Sequence, residues 1–127
     1  MDELIELEAV DVLRVYLTGT SMGGYGTWQT AIEHPDRFAA IVPICGGGDP
    51  RKARRITHLP VWAFHGQIDD TVPVSETLKM VEALRAAGGN VRVTIYPHLG
   101  HDSWTETYDD PKLYKWLLGQ RNAFPIG

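Results

Sequence analysis

Residues 14–28 read RVYLTGTSMGGYGTW, and how this stretch folds decides the architecture of the chain. Residues 14–18 are rich in β-branched and aromatic side chains and predict a strand. Glycines crowd residues 19–24 and predict a sharp turn, while residues 25–33 carry a helical pattern that His34-Pro35 ends. Strand, tight turn, helix is the order that lifts a nucleophilic serine clear of a sheet, and Ser21 stands at the turn within Gly19-Thr20-Ser21-Met22-Gly23. Gly23 and Gly24 are expected to let the helix backbone approach the strand. The helix start just after Ser21 directs free N–H groups and the positive end of the helix dipole to where an oxyanion would develop. In a chain with 13 glycines, a Gly-x-Ser-x-Gly match is weak by itself, and a glycine-rich turn without chemistry explains it equally well.

Working outward, apolar runs of strand length alternate with segments of helical period. Leu4, Ile5 and Leu7 predict an amphipathic helix ahead of the first strand. A second, wholly apolar strand is expected at 38–44, a third at 61–65 and a fourth at 91–96. Between them, residues 73–87 form the clearest helix: Val74, Leu78, Val81 and Leu84 share a face, and Gly88-Gly89 stops it. Residues 111–121 predict a closing helix with Leu113, Trp116 and Leu117 on its apolar side. Strands separated by helices imply a parallel sheet of about four strands with helices on both faces. Continuously apolar strands suit such a buried sheet. The class is α/β, and the 127 residues are expected to make one domain.

A serine hydroxyl needs a base, and the base needs an orienting carboxylate. In a parallel sheet both belong in loops at the same edge as the serine. The third strand ends FHGQIDDTVPV, with Asp69 and Asp70 in its loop. The fourth ends TIYPHLGHDSW, with His98 and His101 in its loop. The order serine, acid, histidine is that of the α/β-hydrolases. A turn or capping role for the second aspartate and a partly buried hydrogen-bonding role for the second histidine are the competing readings. His98-x-x-His101 lacks the neighbouring carboxylates or cysteines of a metal site. No metal or cofactor is expected.

Gly-x-Ser-Met-Gly-Gly, His-Pro-Asp-Arg-Phe-Ala-Ala, His-Gly-x-x-Asp-Asp-x-Val-Pro and Gly-His-Asp-Ser-Trp occur here in succession. In these pieces the chain resembles the C-terminal half of an α/β-hydrolase of the dienelactone hydrolase and phospholipase/carboxylesterase-like group, and the resemblance covers most of its length. It implies a truncated α/β-hydrolase fold and hydrolysis of carboxylic esters through an acyl-serine. It carries the nucleophile onto Ser21, the acid onto Asp69 and the base onto His101, with the Met22 backbone N–H as oxyanion donor. Tyr25 and Trp104 then become candidate pocket residues, or simply core packing. His65 reads as structural, closing its strand. Gly46, Gly47 and Gly48 either admit substrate or only turn the chain.

The resemblance begins at the nucleophile strand, so the loop that supplies a second oxyanion donor in the family lies in the half that is not matched. Weak activity is therefore expected unless another group substitutes. That strand should also form a sheet edge, which favours pairing with a second copy, so a homo-oligomer is expected, most simply a two-fold dimer. A peptidase or thioesterase with the same triad, and a fragment with a relic triad, are the competing functions.

Composition removes other classes. Sixteen acidic against twelve basic residues, a net charge of −4, leave no footprint for nucleic acid. The basic run Arg51 to Arg55 is expected to be a solvated surface. No apolar run is long enough for a membrane span. The opening MDELIELEAV is acidic where an export signal is basic and then apolar, so a cytoplasmic location is the default expectation. The single cysteine, Cys45 in IVPIC, is expected to be a buried structural thiol.

Overall fold

A computed structural model describes residues 15–120; the helix expected around Leu4 lies outside them. Four strands, β1 (Tyr16–Thr20), β2 (Ala40–Ile44), β3 (Val61–Gly66) and β4 (Val91–Tyr96), form one parallel sheet in the order β1-β2-β3-β4. The helices are α1 (Met22–Glu33), α2 (Ser75–Ala86), α3 (Trp104–Tyr108) and α4 (Pro111–Leu118), and a 3₁₀ helix covers Pro50–Ile56.

Burial follows strand position. Every residue of the central strands β2 and β3 is buried, whereas β1 alternates and β4 is mostly half-buried. Alternation along each strand then divides the core into two layers. On one side Leu17, Ile41 and Ala63 pack with Trp28 and Ile32 of α1 and Met80 and Leu84 of α2. On the other, Val42, Trp62 and Phe64 pack with Leu113 of α4, under Trp104 and Tyr108 of α3. Each fully buried Leu or Ile contributes roughly 1.5–3 kcal/mol, so both layers are needed to hold the sheet.

Pro43 sits in β2, an unusual place because it has no N–H for a ladder. The bonds to β3 are made on either side of it, by Ile41 N–H to Pro60 C=O and Cys45 N–H to Phe64 C=O. The strand survives because those flanking bonds and full burial carry it.

Several boundaries differ from the sequence-based expectation. β1 runs on through Gly19 and Thr20, paired with Pro43 and Ile44, so the turn narrows to Ser21 itself. Helix α1 starts at Met22 despite three glycines that weaken it intrinsically, because Gly24 packs directly on the end of β2. In α2, Leu78 is 38% exposed, and Thr77 and Met80 take its place on the buried face beside Val81 and Leu84. Its end is as expected: Gly88 adopts φ 87°, its N–H reaches Arg85 C=O, and Gly89 N–H reaches Leu84 C=O, which satisfies the last carbonyls. The basic run forms the 3₁₀ helix, capped by the Asp49 carboxylate on Arg51 N–H; Ala53 and Ile56 are buried and the arginines exposed.

Candidate active site

The parallel order brings the C-terminal ends of all four strands to one edge, and each end supplies part of the site. Ser21, between β1 and α1, has φ 55° and ψ −115°, a conformation rarely adopted by a non-glycine residue. Ser21 N–H donates to Ile44 C=O at 3.0 Å and fixes the elbow to β2. A Cβ on Gly24 would lie 2.5 Å from Ile44 O, and one on Gly46 would lie 2.5 Å from the Gly24 carbonyl carbon. The helix thus rests on the β2 loop glycine to glycine. Gly23 has nothing within 4 Å of such a Cβ; the close approach of α1 to β2 is made at Gly24, and that to β1 at Gly19, where a Cβ would run into the Gly23 carbonyl. Gly46, Gly47 and Gly48 lie close against Gly24, Glu76 and Trp28 respectively, so they pack the helices closely onto the end of β2.

Ser21 Oγ lies 2.9 Å from His101 Nε2, and His101 Nδ1 lies 2.8 Å from Asp69 Oδ2. An ionised Asp69 can only accept, so Nδ1 carries the proton and Nε2 is left to take the serine hydrogen. Asp69 Oδ1 accepts from the Thr71 and Val72 N–H groups, both at 2.8 Å. Burial pushes this carboxyl up, but the bond from His101 and those two N–H groups outweigh it and hold it below the usual aspartate range. The turn role expected of Asp70 therefore falls to Asp69, while Asp70 is exposed. His98 is exposed as well, outside this arrangement and not partly buried as expected.

The loop bearing His101 is seated on the end of β3. Ile68 N–H donates to Leu99 C=O at 3.1 Å, and a Cβ on Gly66 would meet Gly100 O at 2.2 Å. His101 then stands edge-on to Trp104, with ring centroids 5.5 Å apart at 90°. Helix α3 is tied to β1 by Tyr108 OH, 2.8 Å from Thr18 Oγ1.

A protein-family model described as the dienelactone hydrolase family matches residues 1–114. The chain belongs to the dienelactone hydrolase family. Among relatives, "Putative carboxymethylenebutenolidase" of Escherichia coli O157:H7 is 31% identical over 100 residues, covering 72% of this chain and 37% of that protein. A solved thermostable esterase is 43% identical with a TM-score of 0.85, over 88% of this chain and 32% of its own. SOBER1 of Arabidopsis thaliana, 22% identical with a TM-score of 0.72 over 87% of this chain and 56% of its own, shares the fold. These neighbours place the sheet in the α/β-hydrolase fold, and the chain spans about a third of the E. coli relative and of the thermostable esterase.

Other positions in this dienelactone hydrolase family chain complete the surroundings. The Met22 N–H stands at the first position of α1, where no carbonyl of the helix precedes it to accept its hydrogen. The Met22 side chain is 86% exposed and Ile68, beside Asp69, is 62% exposed. Tyr25 is partly exposed one turn after Ser21; burial, then the nearby Glu76 carboxylate, raises its phenol above the ordinary value. Trp104 is half-buried against the second core layer. Two further residues emerge only in three dimensions. His65, fully buried, bonds Thr77 Oγ1 at 2.7 Å and Val72 C=O at 2.8 Å, and its Nε2 lies 3.3 Å from Asp69 Oδ2. It does more than close its strand: it braces the loop that carries Asp69. Cys45 is buried as expected, but its Sγ lies 3.3 Å from Ser21 N and close to both Asp69 and His101. Among the described residues no helix is long and apolar enough to cross a membrane.

Proposed function

We propose that this chain is a serine carboxylesterase that hydrolyses short-chain or aryl carboxylic esters through an acyl-enzyme on Ser21. The observation that supports this most is the unbroken relay from Ser21 Oγ to His101 Nε2 at 2.9 Å and from His101 Nδ1 to Asp69 at 2.8 Å. His101 takes the serine proton as Oγ attacks the ester carbonyl. The Met22 N–H donates to the oxyanion of the tetrahedral intermediate, assisted by the positive end of α1. His101 then protonates the leaving alcohol, and water releases the acid by the reverse sequence. Asp69, kept ionised by its hydrogen bonds, holds the imidazole in the required tautomer and favours its transiently charged form.

Trp104 stands against His101, and Met22 and Ile68, the chain neighbours of Ser21 and Asp69, are exposed apolar side chains. A chromogenic ester series from acetate to long acyl chains, run beside a thioester and an amide, tests the reading. The short esters should turn over fastest. Faster cleavage of the amide or thioester reassigns the substrate class, and no turnover of any substrate marks the relay as a relic.

A further inference from the structure

Behind the proposed relay lies a thiol that ester hydrolysis does not use. Cys45 follows β2, is fully buried and adopts φ 46°. Its Sγ, a carboxylate oxygen of Asp69 and a ring nitrogen of His101 all lie within 4.8 Å of one another. The buried Ser103 hydroxyl, which makes no other hydrogen bond among the described residues, lies beside the thiol and favours its ionised form. We propose that Cys45, Asp69 and His101 form a binding site for a thiophilic divalent cation, Zn²⁺ or Cd²⁺, whose occupancy switches hydrolysis off. The inhibitory half of this proposal rests on His101 being the base; the binding half does not.

The donor set is selective. Thiolate, imidazole and carboxylate are the three ligand types of zinc, at about 2.3, 2.0–2.1 and 2.0–2.2 Å from the metal. Around a tetrahedral ion such ligands sit roughly 3.3–3.6 Å from each other, so no pair need close by more than about 1.5 Å, and with Nδ1 as ligand the Asp69–His101 pair, 2.8 Å apart, opens slightly. Three protein ligands leave a fourth position for water or for Ser21 Oγ. Magnesium and calcium prefer all-oxygen sites and should not compete. Without metal, burial raises the Cys45 thiol and keeps it protonated and idle. On binding, the S–H bond breaks, its proton passes to solvent and a metal–sulfur bond forms. The metal also takes a nitrogen lone pair of His101; if Nδ1 is the ligand, its proton moves to Nε2, whose lone pair is then used up. No atom changes oxidation state. With either nitrogen bound, His101 is no longer free to accept the serine proton.

The experiment uses the single cysteine as its reporter: with one Cys in 127 residues, a cadmium–thiolate charge-transfer band can arise only from Cys45. Cd²⁺ is titrated into wild type and Ser21→Ala in a non-chelating buffer, and Zn²⁺ inhibition of ester turnover is measured in wild type. The band should saturate at one equivalent in both proteins. Turnover should fall at least about tenfold with Zn²⁺, recover with a chelator and ignore Mg²⁺. In Cys45→Ala the band should vanish, and the half-inhibiting Zn²⁺ concentration, measured against that variant's own metal-free rate, should rise at least about tenfold. His101→Ala, which keeps the thiol, should bind Cd²⁺ at least about tenfold more weakly and serves if Cys45→Ala does not fold. An active enzyme without the band, or equal Zn²⁺ inhibition of wild type and Cys45→Ala, overturns the site. A saturating band in a protein that cleaves no ester overturns the esterase reading and leaves the metal site standing.

Discussion

Both oxygens of Asp69 are engaged, Oδ1 by the Thr71 and Val72 N–H groups and Oδ2 by His101 with His65 close behind. The residue therefore holds its own loop and the His101 imidazole together. Asp69→Asn should lower kcat by about 10⁴, because an amide disturbs the tautomer His101 needs. Its lowered carboxyl also predicts a pH effect on folding. The unfolded chain binds a proton near 3.8 and the folded one at lower pH, so the stabilisation is complete above 3.8 and fades as pH falls through the folded value. Acid titration of stability should show wild type losing its advantage over Asp69→Asn below about pH 4; a constant difference from pH 7 down would contradict it. Ser21, Asp69 and His101 were legible in the sequence because each carries distinctive chemistry at a strand end. The roles of His65 and Cys45 were not, since His65 reaches Asp69 only once the loop after β3 folds back on it, and Cys45 only once β2 lies beside β3.

At the scale of elements, strands were read more accurately than helices. Long apolar runs such as FAAIVPI admit one placement, buried on both faces, and β2 lies within it. Helix α1 starts just after Ser21 as expected, but its helical pattern shows only from residue 25, because Gly23, Gly24 and Gly26 speak against a helix locally while packing demands one. Five-residue α3 was missed, since barely more than one turn shows no periodicity. The two neighbouring glycines of α1 should respond oppositely to alanine. Gly24→Ala drives a methyl into the backbone of β2 and should cost about 1–3 kcal/mol or more. Gly23→Ala meets only open space and should stabilise by about 0.5–1 kcal/mol through helix propensity. Denaturant unfolding of both variants checks this, and equal destabilisation would show that the elbow cannot accept a side chain at either position.

For the whole molecule, β1 pairs with β2 and with no other strand among the described residues, although it carries Ser21. Tyr16 and Thr18 of this strand are half-buried, and Leu17 between them is buried. We propose that a second copy of the chain covers this edge in a two-fold dimer and lends the site its second oxyanion donor. Sedimentation should give a dimer at micromolar concentration, with activity lost on dilution; a stable, active monomer would refute it. Every proposed step of hydrolysis depends on Ser21 as the nucleophile. A serine-directed phosphonate, followed by peptide mass analysis, should place one adduct on Ser21, abolish ester turnover and leave Ser21→Ala unlabelled, folded and inactive. Ester hydrolysis retained by Ser21→Ala, or an adduct on any other residue, would contradict the account.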